Sequence, residues 1–243
     1  MNEQIETVII GGGHTGLTMS YYLSQLRREH VIIERGRIAE RWDSFFFQFP
    51  NWTIELPDYK YECNDPDGFV PGSQIVRFVQ NYASFIGAPV RSGVEVTSLH
   101  RLDSGRYLVQ TKTSATEAAN VVIATGSYQQ PSVPKMSAGI PNDIFQIHSS
   151  QYRNADQLPP GAVLVIGAGS LGCQIAEDLN QSGRQVYLSV GRHLRVPRRY
   201  RGRDYAYWRF VMGGWDRTVD SLPPGAKKFA RTIINGLQRG TRC

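Results

Sequence analysis

Two glycine-rich stretches carry the residues of this 243-residue chain best suited to chemistry. The first, Gly11-Gly12-Gly13-His14-Thr15-Gly16, follows the apolar run Thr7-Val8-Ile9-Ile10. In a Gly-x-Gly-x-x-Gly spacing the first glycine permits a tight strand-to-helix turn, the second lets backbone approach a pyrophosphate, and the third lets the helix lie close to the sheet. The first N–H groups of such a helix, at its positive dipole end, stabilise phosphate charge without a cationic side chain. Met19, Tyr22, Leu23 and Leu26 then recur at helical spacing and predict the buried face of that helix. A second apolar run, Val31-Ile32-Ile33, ends in Glu34 and Arg35. An acid about 20 residues past the loop can accept hydrogen bonds from ribose hydroxyls, and it repels a 2′-phosphate.

The same pattern returns 156 residues later, where Ala162-Val163-Leu164-Val165-Ile166 runs into Gly167-Ala168-Gly169-Ser170-Leu171-Gly172. Ile175, Ala176 and Leu179 mark the next helix and Gln185 to Val190 the next strand. Two such fingerprints in one chain are far less probable by chance than one. At the position of Glu34 the second unit has Val190, and Arg192 follows two residues on. An apolar residue cannot hold ribose hydroxyls, whereas a guanidinium suits a 2′-phosphate. The first loop is therefore expected to take an unphosphorylated ribose, as in FAD, and the second NADPH.

The elements that position these loops follow from patterning. The fold class is α/β, with two Rossmann-like dinucleotide-binding units and a small antiparallel β-meander. Ser73 is placed to cap a helix with Ile75, Phe78, Val79, Tyr82, Phe85 and Ile86 on its apolar face, stopped by Gly87. Val94, Val96 and Leu99, a turn at Asp103-Ser104-Gly105, and Tyr107 to Thr111 read as the meander. A buried-type strand starting at Asn120 ends in Ala124-Thr125-Gly126, small residues suited to backbone closing over a cofactor. Between the first unit and this helix, Phe45 to Trp52 form an aromatic loop, equally able to pack on the sheet or to wall a flat cofactor.

Composition excludes several classes. With 41% hydrophobic and 20% charged residues the chain reads as globular, and no apolar run is long enough for a membrane span. The polar, acidic start Met1-Asn2-Glu3-Gln4 fits neither a signal peptide nor an anchor, so the cytoplasm is expected. Cys63, Cys173 and Cys243 form no Cys-x-x-Cys pair for disulfide exchange or zinc, no metal site is expected, and Cys173 is assigned to helix packing. The net charge of +6 is concentrated between Arg192 and Arg209, where seven arginines meet one acid, Asp204. So local an excess argues for a local anionic partner and against nucleic acid.

From about Thr7 to Trp208 the chain resembles two-dinucleotide flavoproteins, in particular the bacterial relatives of flavin-containing monooxygenases. The resemblance rests on both glycine loops, Glu34, the Arg41-Trp42 pair, Ala124-Thr125-Gly126, His148-Ser149-Ser150-Gln151-Tyr152 and Arg192. It implies an FAD-binding domain over residues 1–126, a linker over 127–160 and an NADP-binding domain over 161–243. Arg35 and Val96 join the expected cofactor-binding set. Two departures stand out. The family's linker motif has Phe and Gly where this chain has Asn142 and Ile144, and Tyr152 replaces the Trp of the Baeyer–Villiger subgroup. Because only 53 residues follow Val190, both domains are expected to be incomplete, without the return segment that closes the flavin site.

The activity so implied is NADPH- and FAD-dependent oxygenation of a small organic substrate by oxygen through a peroxyflavin. The cofactor carries the chemistry and the protein positions it. No side chain is assigned as catalytic, and His148 is expected to hydrogen-bond backbone. Homo-oligomerisation is left open. A flavin reductase or oxidase on the same scaffold, or a nucleotide-binding remnant without turnover, are the alternatives, since a fold alone does not establish activity. Replacing Arg192 by Ala should weaken NADPH about 10- to 100-fold while sparing NADH. Dissociation constants at fixed ionic strength check this; an unchanged NADPH to NADH ratio would assign Arg192 to a solvated basic face.

Overall fold

The computed structural model describes residues 3–42, 47–126, 131–191, 197–213, 218 and 221. The chain divides into two compact units, residues 1–129 with 151–189, and residues 130–150 with 190–243. In the first, β1 (Glu3–Ile10) leads through the glycine loop into α1 (His14–Gln25) and back as β2 (His30–Glu34), parallel to β1. A short hairpin, β3 (Glu55–Leu56) and β4 (Tyr59–Lys60), precedes α2 (Gly72–Phe85) and β5 (Val90–Ser92). The meander is β6 (Val96–Arg101), β7 (Tyr107–Thr111) and β8 (Ala115–Ile123). All but the short hairpin join one sheet of order β5-β2-β1-β8-β7-β6.

The centre of this sheet is apolar on both faces, as parallel strands require. Ile9 and Ile32 pack with Leu17 of α1 and with Ile75, Phe78, Val79 and Tyr82 of α2. Ile5, Val8, Val31 and Ile33 form a second cluster with Val109 and Ala118. The meander is thus no separate module. β8 pairs antiparallel with β7 and parallel with β1, and it starts at Ala115, earlier than the apolar run at Asn120 predicts. Its first half alternates small inward residues, Thr116 and Ala118, with Ala115, Glu117 and Ala119, so it holds no large apolar residue that would mark a strand by hydrophobicity alone.

Two helix assignments need correction. Met19, Tyr22 and Leu26 are exposed, and α1 instead turns Gly16, Leu17 and Ser20 inward. Small residues win that face because the helix must approach the strand ends closely. Ser73 lies within the first turn of α2, and Pro71, whose φ is fixed near the value observed (−65°), occupies the cap position. Gly87 does terminate α2, at φ +58°.

The second glycine loop sits in β9 (Val163–Ile166), α3 (Ser170–Gln181) and β10 (Val186–Ser189), parallel to β9. Its main chain repeats the first at a constant offset of 156 residues. Thr7 N–H bonds to Glu29 O and Val163 N–H to Gln185 O; Gly11 N–H bonds to Ile33 O and Gly167 N–H to Ser189 O; Leu17 N–H bonds to Gly13 O and Cys173 N–H to Gly169 O. Surroundings differ where main chain does not. Val8 and Leu17 are fully buried, whereas their counterparts Leu164 and Cys173 are exposed, so Cys173 is not a packing residue. On its covered side the second unit packs Ile175 and Leu179 against Tyr152 and Ala155.

In the other compact unit, β11 (Arg199–Tyr200) and β12 (Arg203–Asp204) form a hairpin with Arg201 (φ +48°) and Gly202 (φ +74°) at its turn, ahead of α4 (Tyr205–Val211). Asp204 caps α4 through Ala206 N–H at 2.8 Å and pairs with Arg198 at 2.7 Å. Arg201, Arg203 and Arg209 lie over the rings of Tyr200, Tyr207 and Tyr205. Much of the arginine excess is therefore engaged within the fold. Among the described residues no helix is long and apolar enough to cross a membrane, and no cluster suits a metal ion.

The repeat exposes one local strain. The second residue past α1 is Arg27 at φ +54°, where the second residue past α3 is Gly183 at φ +79°. A side chain in this left-handed conformation costs about 1–2 kcal/mol, part of which glycine loses again through its greater unfolded-state entropy. Arg27→Gly should raise stability by about 0.5–1 kcal/mol in urea unfolding, and Gly183→Arg should lower it similarly.

Candidate dinucleotide-binding site

The first loop is built from close backbone contacts. Gly11 adopts φ +115°, and a Cβ there would overlap the carbonyl of Ala124 at the end of β8, itself anchored by a 2.8 Å bond from Ala124 N–H to Ile10 O. A Cβ on Gly16 would overlap the Gly11 carbonyl oxygen. Only glycine allows β1, the start of α1 and the Ala124-Thr125-Gly126 stretch to converge so tightly. Gly126, at φ +77°, turns the chain away immediately afterwards.

Gly13 differs in kind. It is the N-cap of α1 with an ordinary φ of −86°, and no described atom lies within 4 Å of where its Cβ would be. The space it leaves open faces none of the described residues. α1 has neither a side-chain cap nor an acid in its first turn, so its leading N–H groups are available to an anion. His14 and Thr15 are exposed on that turn, with Nε2 and Oγ1 3.2 Å apart. These features fit a dinucleotide pyrophosphate, with Gly13 as the cradle that a larger residue would fill.

Glu34 stands at the loop, where its Oε2 accepts from Gly12 N–H at 2.6 Å. That contact is not legible from spacing, which places the acid near a ribose and says nothing of the loop amides. Arg35 is exposed beyond it. The turn Glu34–Gly36 is tied to the meander by Val94 N–H on Glu34 O, two residues before half-buried Val96. Gly11 to Gly16, Glu34 and Ala124 to Gly126 are thus brought together. Arg41 and Trp42 lie in a single 3-10 turn, Glu40–Trp42; Trp42 packs on the α1 and α2 core, 5.6 Å from the Phe47 ring, and Arg41 is exposed. Phe45 and Phe46 fall outside the described residues.

The second loop has the same form, with Gly167 at φ +109°, Gly169 as the N-cap of α3, and Gly172 pressed on the Gly167 carbonyl. Ala168, Ser170 and Leu171 complete it. Val190 is exposed, and Arg192 lies outside the described residues. Two contacts not legible in the sequence hold the preceding segment to this unit. Tyr152 donates to Asp178 of α3 at 2.5 Å, and burial, aided by that bond, pushes its phenol well above the usual range. Arg184 donates to the carbonyls of Leu158, Pro159 and Gly161. His148 accepts the Ser150 N–H at 3.1 Å through Nδ1.

A family model described as pyridine nucleotide-disulphide oxidoreductase matches residues 8–208, spanning both loops. The chain belongs to this family. Its members depend on FAD and NAD(P). An uncharacterized oxidoreductase, CzcO-like, of Geobacillus kaustophilus is 34% identical over 219 residues, 88% of this chain and 62% of its own length. The indole-3-pyruvate monooxygenase YUCCA8 of Oryza sativa is 26% identical over 199 residues, 75% of this chain and 47% of its own. The solved flavin-containing monooxygenase of Stenotrophomonas maltophilia shares the fold at a TM-score of 0.72 and 20% identity, covering 95% of this chain and 68% of that one. The chain thus spans about three fifths or less of the curated relatives it matches. Within the described residues Cys63 and Cys173 are both free.

The two glycine types predict opposite phenotypes. Gly16→Ala should cost at least about 2 kcal/mol in thermal or urea unfolding, because backbone cannot yield to the added methyl. Gly13→Val should fold with near-native stability yet lose FAD retention, measured by absorbance after gel filtration. A Gly13→Val protein that keeps FAD would remove the cradle assignment.

Proposed function

We propose that this chain is the dinucleotide-binding part of an NADPH- and FAD-dependent oxidoreductase of the monooxygenase type, with FAD at the first loop and NADPH at the second. The observation that carries it is the pair of loops with matching main-chain hydrogen bonds and different chemistry at one position, Glu34 against Val190. An acid beside the first loop suits the free ribose hydroxyls of FAD and disfavours a 2′-phosphate; an apolar residue followed by Arg192 suits the phosphorylated ribose. Family membership supports both cofactors, and the YUCCA8 likeness supports oxygenation of a small organic substrate.

When bound, FAD would accept hydride from NADPH and deliver reducing equivalents to oxygen. The chain's own residues bind and orient. The start of α1 would direct its N–H groups at the pyrophosphate, Gly13 would leave the room for it, Glu34 would hold the ribose hydroxyls, and the Ala124 to Gly126 backbone would close the side of the site. The corresponding domains are residues 1–126 for FAD and 161–243 for NADP, joined by 127–160.

The test is the absorbance spectrum of the purified chain followed by aerobic NADPH consumption. A bound flavin with substrate-dependent oxygen incorporation is expected. Peroxide or acceptor reduction without incorporation would replace the monooxygenase by a reductase or oxidase, and nucleotide binding without turnover would leave a non-catalytic binding module.

A further inference from the structure

We propose that Glu34 is a positioning residue that presets the first glycine loop before any dinucleotide reaches it. Its carboxylate sits between two backbone donors, Gly12 N–H to Oε2 at 2.6 Å and Gly36 N–H to Oε1 at 2.9 Å. Gly12 is buried, so its N–H has no water as a substitute, and a charged acceptor holds it more strongly than a neutral one. The acid is itself held from behind. Val94 N–H donates to the Glu34 carbonyl at 3.0 Å and Gly93 N–H to the Gly36 carbonyl at 3.3 Å. The side chain therefore ties the end of β2, itself bonded through main chain to the segment leading into the meander, to the middle of the loop.

The second βαβ unit is the internal control. Its loop has the same main-chain bonds, but Val190 stands at the equivalent place and cannot accept from an amide. The two loops differ in preorganisation as well as in ribose preference. Each Glu34 oxygen keeps lone pairs after binding its amide, so ribose hydroxyls add to a carboxylate already in position. Ordering that the chain's own Glu34 bonds supply need not be paid for on binding, which strengthens affinity.

The consequence for affinity rests on FAD occupying the first loop, but the brace belongs to the ligand-free chain and can be tested there. Amide hydrogen exchange is measured by NMR on the FAD-free chain as wild type, Glu34→Gln and Glu34→Ala, with FAD titrations on each. Gly12 and Gly36 amides should exchange about ten- to a hundredfold faster in Glu34→Ala. Glu34→Gln should fall between, because its single carbonyl oxygen serves one donor, and Val121 and Val122 of β8 should be unchanged. FAD affinity should fall in the same order. Equal Gly12 and Gly36 exchange in all three proteins would overturn the brace even if FAD weakened, leaving Glu34 as a ribose ligand alone. Faster exchange throughout β8 would overturn it too, by assigning Glu34 to global stability. Protected loop amides in a wild type that binds no FAD would keep the brace and remove the cofactor assignment.

Discussion

Close approach of main chain to main chain at Gly11 is the constraint on which the rest depends. Gly11 presses on the Ala124 carbonyl while Gly16 presses on its own, so β1, α1 and β8 meet where no side chain fits. From that contact follow the inward face of α1 and the exposure of Met19, Tyr22 and Leu26. It also directs the unencumbered start of α1 at open space beside Gly13. Gly11 and Gly16 thus serve the packing of the loop, and Gly13 is the position proposed to serve the ligand.

The second unit shows how far local sequence determines local form. Its loop reproduces the first bond for bond, although side chains buried in the first unit are exposed in the second. Backbone geometry here follows from glycine positions and strand pairing within the βαβ unit. What the surroundings add is chemistry. The first loop gains Glu34 and the β8 end as neighbours, and the second has Tyr152 and Arg184 fixing the segment that leads into it.

Much of this was legible in the sequence, for identifiable reasons. Glycine spacing and the strand-loop-helix order fix both loops because those positions are sterically exclusive. The Asp103-Ser104-Gly105 turn and the Gly87 stop were legible for the same reason, a positive φ that glycine accepts at little cost. Periodicity failed for α1, since Leu17 and the small Gly16 and Ser20, not the large apolar residues, face the sheet. It failed for Cys173 because burial at that position depends on neighbours in space. The Glu34 bond to Gly12 was invisible because spacing places an acid near a loop without saying which donors it meets. Arg192, to which the choice of a phosphorylated cofactor is assigned as a proposal, lies outside the described residues.

The central claim is that one chain carries two dinucleotide sites of different ribose preference. Calorimetric titration of the purified, nucleotide-free chain with FAD, then with NADPH on the FAD-saturated protein, tests it most directly. One equivalent of each is expected, with neither displacing the other and with NADH weaker than NADPH in the second step. Competition between FAD and NADPH for a single equivalent would contradict it.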